Sequence, residues 1–400
     1  MLSVGIDTHE SMHQAEVLNQ NGKIMWSGRI RNNREGLQEL VDKILQIQRS
    51  NSDKVAGIFM NPTGNFHLPV KYFLEKNGFQ GVVYLVDPRV SKHMRMINNL
   101  GSEKSDPEDA HILASTLWED RHYAERKGHS RDPLSEITRL RSIVNVNITR
   151  IKNLIWADLA AVFPEFGTMF ALESKTALVI LEKYPLPQDI LNLGTGYLAS
   201  FLSRHSMGHY SNKEASKLTE IARLSIGIPD EQRVYALRIQ TNVKRLKQEM
   251  ETLEKLDREI EMRSSSNTLM GYVSDIRGMG IVNSASIVSE IGRIDQFGTA
   301  LKLQSYGGKC PDMTGSGGKN YAIRVTRIRN SYLSDSVFES AVSLVNHHSR
   351  EFEDLYRRSI KKGKTSKEAY IVVGKRLLYH IFTIMKNNKP YRERISRGRW

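Results

Sequence analysis

The first third of the chain alternates apolar and polar residues in a pattern that predicts a sheet followed by alternating helices and strands. Three strand-like stretches come first, with the turn sequence NQNG between the second and third: LSVGID at 2–7, HQAEVLN at 13–19 and GKIMWSGRI at 22–30. A helix near 34–49, the strand VAGIFM, a helix after Pro69, the strand GVVYLV and a last helix are then predicted. This order is typical of a ribonuclease-H-like or RuvC-like α/β domain.

Polar residues stand where these predicted elements end or begin. Asp7 ends the first strand and Asn61 follows the fourth, at the carboxyl ends where open sheets gather functional groups. The sequence KSDPEDAHILA places Asp106 and Asp109 on one helix face, about 5 to 6 Å apart at Cβ. Such a pair can hold a divalent cation, or it can be a solvated helix N-terminus whose charge suits the helix dipole. Spacing alone leaves both interpretations open.

The middle of the chain is predicted to be helical, beginning with a long helix at about 135–163. Farther on, apolar residues recur with the 4,3,4,3,7 spacing of a coiled-coil seam, interrupted by Asp257: Ile239, Val243, Leu246, Met250, Leu253 and Ile260. A seam of this kind requires a partner helix. The partner can come from the same chain or from a second subunit, which would make the protein a homo-oligomer, a dimer or a tetramer.

We therefore predict three regions, an α/β domain at 1–134, a helical linker with the coiled coil at 135–265 and a mainly α domain at 266–400. The run SSSN at the last boundary is a typical joint. The third region opens with IRGMGIVNSASIVSEIG, a Gly-Met-Gly turn before an amphipathic helix, as in a helix-hairpin-helix. Such a turn can offer N–H groups to phosphates, or it can simply connect two packed helices.

The run GSGGK, which contains Ser316, carries the second candidate chemistry. Ser316 is the only nucleophilic side chain in the run, and its glycine neighbours would let a phosphate approach the backbone closely. Basic residues follow that would stabilise a charged phosphoryl transition state: Lys319, Arg324, Arg327 and Arg329. A flexible Gly/Ser loop is the alternative. No Walker pattern is present, so the sequence predicts no ATP site.

Charge and composition narrow the class of protein. The chain has 400 residues and a net charge of +14, and residues 356–400 hold 14 Lys and Arg against two acids. This excess favours nucleic acid as a partner, through Lys361, Lys362, Lys364 and Lys367 among others, although a basic tail can also serve solubility. A single cysteine excludes a disulfide framework and a zinc ribbon. No apolar run approaches the roughly 18 residues of a membrane span, so we predict a cytoplasmic protein.

Six motifs in order resemble a known family over nearly the whole chain: VGIDTH, NPTGNFHLP, KSDPEDAHILA, IRGMGIVNSASIVSEIG, FGTALKLQSYGGKCP and SGGK. The family is that of the IS110-type insertion-sequence transposases, relatives of the Piv DNA invertase. The resemblance implies a DNA recombinase whose RuvC-like domain binds Mg²⁺ or Mn²⁺ through an Asp-Glu-Asp-Asp set. Three of these acids fall on Asp7, Asp106 and Asp109, and the family's serine nucleophile falls on Ser316. It also implies a bridge RNA that pairs with donor and target DNA.

One position departs from the family pattern. Asn61 stands where the family has its glutamate, so its amide oxygen could ligate a cation without adding negative charge. Asp87, which ends the neighbouring strand, offers a compensating carboxylate, or it caps the turn before Pro88. Two other functions stay open: a site-specific invertase or RuvC-like nuclease and, because of Asn61, a catalytically inactive nucleic-acid-binding relative.

Overall fold

The computed structural model describes residues 1–62, 64–86, 94, 105–119, 132–229, 232–309, 311–316, 319–325 and 329–391, without the side chains of 117–119, 311–316 and 319–325. The chain divides into two compact units, Met1–Arg131 and Asp132–Trp400. No helix among these residues is both long and apolar enough to cross a membrane.

The first unit is built on a five-stranded mixed sheet. Its strands are β1 Leu2–Asp7, β2 Met12–Asn19, β3 Ile24–Arg31, β4 Val55–Met60 and β5 Val83–Leu85. The spatial order is β3-β2-β1-β4-β5. Strand β2 is antiparallel to both β1 and β3, whereas β4 runs parallel to both β1 and β5. The predicted α/β character of this region and the order of its strands are therefore confirmed.

Helices cover both faces of this sheet: α1 Arg34–Asn51, α2 His67–Leu74 with a π-helical turn Glu75–Phe79, and α3 Asp106–Glu119. The period of two along β1 decides which side chain meets which helix. Leu2, Val4 and Ile6 join the core formed with α1 and α2. Ser3 points the other way and donates its hydroxyl to the carbonyl of Ala114 in α3, at 2.5 Å. Asp7 has the same parity as Ser3 and therefore lies on the α3 face.

Gly5 permits the close approach of α3 to β1. A Cβ on Gly5 would overlap the carbonyl oxygen of Ala110 and the backbone nitrogen of Ala114. Only glycine leaves room for the helix backbone at this distance. The first turn of α3, with Asp106 and Asp109, is thereby held against the end of β1.

The second unit is mostly helical, as predicted. Its helices are α4 Pro133–Val162, α5 Lys175–Lys183, α6 Pro187–Leu193, α7 Thr195–His205, α8 Asn212–Arg223, α9 Gln232–Ser264, α10 Thr268–Ser274, α11 Ile281–Ile291, α12 Ala300–Tyr306, α13 Ser331–Asn346, α14 Arg350–Lys361 and α15 Ser366–Asn387. A two-stranded hairpin, β6 Pro311–Ser316 and β7 Lys319–Val325, interrupts them. The mainly α prediction for the third region did not include this hairpin.

The predicted seam of α9 packs against α4 of the same chain. Ile239, Val243 and Leu246 are fully buried in one core with the apolar side chains of α4. Asp257, which interrupts the heptad, pairs with Arg141 of α4. The intrachain alternative accounts for these contacts. The coiled-coil geometry itself and an oligomer stay predictions.

The Gly-Met-Gly turn joins α10 to α11, as the helix-hairpin-helix pattern predicts. Gly278 adopts a left-handed backbone with φ of +91°, which glycine accepts without strain. Its carbonyl accepts a hydrogen bond from Ser343 of α13 at 2.8 Å. The turn is therefore packed on α13 on this side, while Gly280 is exposed. A phosphate contact at this turn stays a prediction.

Candidate functional site

An acidic cluster with one imidazole lies at the carboxyl end of β1. His9 Nε2 is 3.0 Å from Oδ2 of the buried Asp7 and 3.5 Å from Oδ1 of Asp106 at the start of α3. One ligand atom from each of these residues lies within 4.8 Å of the other two. We call Asp7, His9 and Asp106 the Asp–His–Asp cluster. Its oxygen and nitrogen donors could hold a metal ion.

The surroundings of Asp7 disfavour the ionised form of its carboxyl group. Burial raises the pKa of Asp7 above its usual value, and the charges of Asp109 and Asp106 raise it further. The charge of His9 and its hydrogen bond act in the opposite direction but do not overcome these effects. The folded chain therefore concentrates negative charge that a bound cation would relieve.

Asp109 lies one turn into α3 and only 3% of it is exposed. The structure thus brings the three sequence-predicted carboxylates, Asp7, Asp106 and Asp109, to one place on the sheet edge. A solvated helix N-terminus would leave both Asp106 and Asp109 in water, whereas Asp106 alone of this pair is exposed. The burial of Asp109 favours the cation interpretation, and its role as a ligand stays a prediction.

Asn61 belongs to the same edge of the sheet. Ile6 pairs with Met60 in the parallel register of β1 and β4, so the next residues of the two strands are neighbours. Thr8 Oγ1 donates to the carbonyl oxygen of Asn61 at 3.3 Å. Asn61 is 9% exposed and stands where the family glutamate was expected. Asp87, the predicted compensating ligand, lies outside the described residues.

Sequence reasoning missed three residues at this face. His9 follows Asp7 by two positions, and its backbone N–H donates to Nδ1 of His13 at 3.2 Å. Glu16 of β2 pairs with Gly5 of β1, and its side chain is buried. His111 of α3 lies with Nδ1 at 2.5 Å from Oε1 of Glu16. The alternation of β2 placed Glu16 on the α3 side, but nothing local in the sequence indicated either histidine.

Ser316, the predicted nucleophile, ends strand β6 and pairs with Lys319, which begins β7. Ser316 and Lys319 are therefore paired residues of the two strands of a β-hairpin. Arg324 belongs to β7, and Arg327 lies outside the described residues. The alternating sequence on either side of the glycines is typical of such a hairpin.

Residues at the base of this hairpin are fixed by buried polar contacts. Lys309 Nζ donates to the carbonyl of Ser334 at 2.9 Å. Burial, together with the nearby charge of Arg329, lowers the pKa of Lys309 to about 8. On the other side, Asn330 caps α13 by accepting the N–H of Leu333 and donates to Glu290 at 2.7 Å. The two ends of the hairpin are thus anchored to the helical body.

Two stretches of the chain match transposase family models. Residues 4–164 match a model described as "Transposase", and residues 270–357 match one described as "Transposase IS116/IS110/IS902 family". The chain belongs to the IS110 family of transposases. It is therefore a DNA transposase of an insertion sequence.

Known relatives resemble this transposase over most of their length. A mini-circle protein of Streptomyces coelicolor, named as a transposase for IS117, is 22% identical over 348 residues, 84% of this chain and 82% of the relative. The 42 kDa protein of insertion element IS900 from Mycobacterium paratuberculosis is 22% identical, over 97% of this chain and 96% of its own. The 43.6 kDa protein of IS110 from Streptomyces coelicolor is 21% identical, over 99% and 96%.

The transposase displays its predicted lysine cluster at the turn between α14 and α15. Lys361 ends α14, Lys362 and Lys364 flank the left-handed Gly363, and Lys367 lies in the first turn of α15. All four are exposed. Arg329 is exposed as well, beyond the end of β7. These positions suit contact with a phosphate backbone.

Proposed function

We propose that this transposase cuts and rejoins donor and target DNA through attack by Ser316, assisted by a divalent metal ion and guided by a bridge RNA. The observation that carries the proposal is the convergence of Asp7, Asp106 and Asp109 on one sheet edge, in a chain that belongs to the IS110 family. Asn61 would complete the metal-binding set through its amide oxygen.

The topology of the first unit supports a RuvC-like assignment. Three antiparallel strands followed by two parallel ones, in the order β3-β2-β1-β4-β5, form the sheet expected of ribonuclease-H-like domains. The acids gather at the carboxyl end of the central strand β1, next to β4. The sheet thus presents the carboxylates where such domains carry their chemistry.

The donor set at this edge fits a divalent metal ion. Carboxylate oxygens are the ligands that Mg²⁺ and Mn²⁺ prefer, and crowded negative charge favours a cation over none. When bound, Mg²⁺ or Mn²⁺ would polarise the scissile phosphate or favour loss of the serine proton. Asp7, Asp106 and Asp109 would hold the ion and orient it.

The serine step conserves the number of ester bonds. Ser316 Oγ would lose its proton and bond to phosphorus, while one P–O bond of the DNA strand breaks and the departing oxygen is protonated. Lys319, Arg324, Arg327 and Arg329 would stabilise the charge that develops on the phosphoryl oxygens. Reversal of the step on a new strand end rejoins DNA without ATP.

Charge supports the nucleic-acid partners. Lys361, Lys362, Lys364 and Lys367 form an exposed group around one turn, and the chain carries a net charge of +14. Such a group would bind phosphates of DNA or of the bridge RNA with a strong dependence on salt. A homo-oligomer would supply the several active sites that strand exchange between two duplexes requires.

One observation favours a second function. Asn61 removes a negative charge from the expected four-acid set, as would be found in a catalytically inactive relative that binds nucleic acid only. The two functions predict opposite results for acid substitutions, because an inactive binder would keep every measurable property in Asp106→Ala.

The test combines purified protein, RNA transcribed from the flanks of the element, donor and target plasmids, and magnesium or manganese. We expect wild-type protein to form recombinant junctions and a protein–DNA adduct that survives denaturing gels. Ser316→Ala should lose both, whereas Thr314→Val, in the same strand of the hairpin, should keep both. Cutting that persists in Ser316→Ala would indicate a RuvC-like nuclease instead. Activity gained only with Asn61→Glu would identify a natural inactive variant.

A further inference from the structure

We infer that His9 is itself a metal ligand, so that this site holds a metal through carboxylates and an imidazole and prefers Mn²⁺ to Mg²⁺. The inference rests on the proposed function, since it concerns the metal site of the same domain. It assigns to His9 a role that replaces the charged ligand missing at Asn61.

The distances in the Asp–His–Asp cluster suit a common ion. Ligand atoms bound at about 2.0 to 2.1 Å around one octahedral ion lie roughly 3 Å apart when adjacent and about 4 Å apart when opposite. His9 Nε2 is 3.0 Å from Asp7 Oδ2 and 3.5 Å from Asp106 Oδ1. Only small shifts would therefore place all three donors on one ion.

His9 is positioned by its own backbone as well as by the carboxylates. Its N–H donates to Nδ1 of the buried His13 at 3.2 Å. Its carbonyl accepts from Nδ2 of Asn32 at 3.5 Å, and the same amide donates to the next carbonyl, of Glu10, at 2.8 Å. The loop after β1 is thus tied to the start of β2 and the end of β3. The imidazole is presented to Asp7 from a fixed loop.

The chemistry of the donors sets the preference. Imidazole nitrogen suits Zn²⁺ and the later transition metals best, and Mn²⁺, at the low end of that series, still accepts it more readily than Mg²⁺, which takes oxygen ligands. Replacement of a glutamate by Asn61 weakens the attraction for every divalent cation, because it removes one negative charge. A nitrogen ligand compensates this loss only for the softer metals. The combination of Asn61 and His9 therefore shifts the site from Mg²⁺ towards Mn²⁺.

The competing explanation is that His9 is only an internal cation that pairs with Asp7. In that case a metal ion would have to displace a positive charge, and removal of His9 would leave Mn²⁺ affinity unchanged or raise it. The two explanations thus predict opposite signs for the same substitution.

The experiment measures Mn²⁺ binding to the full chain, freed of RNA and DNA, by electron paramagnetic resonance. We expect the spin-echo signal of bound Mn²⁺ to show modulation by a directly bound nitrogen. In His9→Gln this modulation should vanish and the dissociation constant for Mn²⁺ should rise at least about tenfold. Mg²⁺ should displace Mn²⁺ more easily by a similar factor, because the affinity of the site for Mg²⁺ should fall little in His9→Gln.

The matched control is His111→Gln, since the side chains of His9 and His111 are both 43% exposed and both contact a buried carboxylate. This variant should keep the nitrogen modulation and the wild-type affinity. Nitrogen modulation that persists in His9→Gln, or an Mn²⁺ affinity that does not fall, would overturn the inference.

A second variant separates failure of the inference from failure of the metal site. Asp7→Asn should abolish specific Mn²⁺ binding if the acids form a metal site at all. Binding lost in Asp7→Asn but kept in His9→Gln would overturn the role of His9 alone. Binding unchanged in both variants would overturn the metal site, and with it the metal-assisted part of the proposed function.

Discussion

Asp7 and Glu351 are both shielded carboxylates with a histidine partner, yet their surroundings are opposite. Asp7 has His9 beside it, together with the further acids Asp106 and Asp109, and its pKa is raised, chiefly by burial. Glu351, at the start of α14, accepts hydrogen bonds from Arg376 at 2.6 Å, His380 at 3.1 Å and Tyr391 at 2.8 Å. Although burial acts to raise the pKa of Glu351, these donors lower it.

Under the proposed function, the difference separates a structural carboxylate, Glu351, from a metal-binding one, Asp7. Glu351 has Arg376 and His380 as partners of Oε1 and the Tyr391 hydroxyl as donor to Oε2, so its charge stabilises the packing of α14 on α15 and holds the segment after α15 through Tyr391. Asp7 has only the imidazole of His9 as a partner, and its burial and the nearby acids Asp106 and Asp109 leave its carboxylate less well balanced than that of Glu351. A metal ion bound there, as proposed, would offset the free energy that the burial of Asp7 costs the folded protein.

Substitution of Asp7 should have the largest effect. Asp7→Asn should lower strand exchange by about a thousandfold, because a metal supplies several kcal/mol of transition-state stabilisation. The free energy of unfolding, measured with urea in EDTA, should stay equal or rise, since like-charge repulsion at a buried site is removed. A large loss of stability would instead make Asp7 a structural carboxylate like Glu351.

Gly5→Ala tests whether the position of α3 creates the site. The added Cβ would overlap the backbone of α3 at Ala110, so we expect a loss of about 1–3 kcal/mol in the free energy of unfolding. Mn²⁺ binding should weaken as Asp106 and Asp109 move away from Asp7. Gly196→Ala is the control, since a Cβ there meets nothing within 4 Å. Unchanged Mn²⁺ binding in Gly5→Ala would refute this dependence.

Glu351→Gln should show the reverse of Asp7→Asn. Loss of the charge-assisted hydrogen bonds from Arg376, His380 and Tyr391 should lower the free energy of unfolding by about 1.5–3 kcal/mol. Strand exchange measured below the melting temperature should be kept. Glu254→Gln removes an exposed pair with Arg258 and should cost less than about 1 kcal/mol. Urea denaturation of the three proteins measures both effects.

The pH dependence of the Glu351 effect has a definite sign. Because the folded pKa of Glu351 is lowered from the ordinary 4.5, the unfolded chain takes up the proton first as pH falls. The stability difference between wild type and Glu351→Gln should therefore be full above pH 4.5 and shrink as pH falls through the folded pKa. A difference that grows on acidification would contradict the hydrogen-bond pattern.

Lys309 is an intermediate case, and its effect should appear as a dependence of stability on pH. It is buried, it donates to the neutral Ser334, and its pKa is lowered to about 8 from 10.5. Between these values the unfolded chain holds more protons, so wild-type stability should rise with pH relative to Lys309→Met, by up to about 1.4 kcal/mol per pH unit. Parallel stability curves from pH 7 to 10 would show that Lys309 is not desolvated.

Local patterns predicted much of the first unit. The period of two along LSVGID placed Asp7 opposite the core residues Val4 and Ile6, and helix spacing placed Asp106 and Asp109 together. The contact between β1 and α3 brings together residues about 100 positions apart, and no local pattern encodes it. His9 lies beside Asp7 in the chain, but it meets Asp106 only through that contact, which is why no local pattern selected it.

The second unit was harder to predict for a different reason. The seam from Ile239 to Ile260 indicated a partner helix, but the same apolar spacing serves a partner from either chain, and only the fold identifies α4. The glycines of GSGGK are equally common in flexible loops and in hairpin turns. The strand character of the flanking residues, such as Tyr321 and Val325, was the signal that could have decided it.

The pairing of α4 with α9 has a mechanical consequence. Most of the pair lies in one core with α5 to α8, while Leu134 and Ile260 at its other end are buried in a second core with α10 to α15. A helix of the 30 residues of α4 is about 45 Å long. Two such helices, locked side by side, resist bending far more than one. The paired helices therefore connect the two cores rigidly, so that a force that displaces one core also displaces the other.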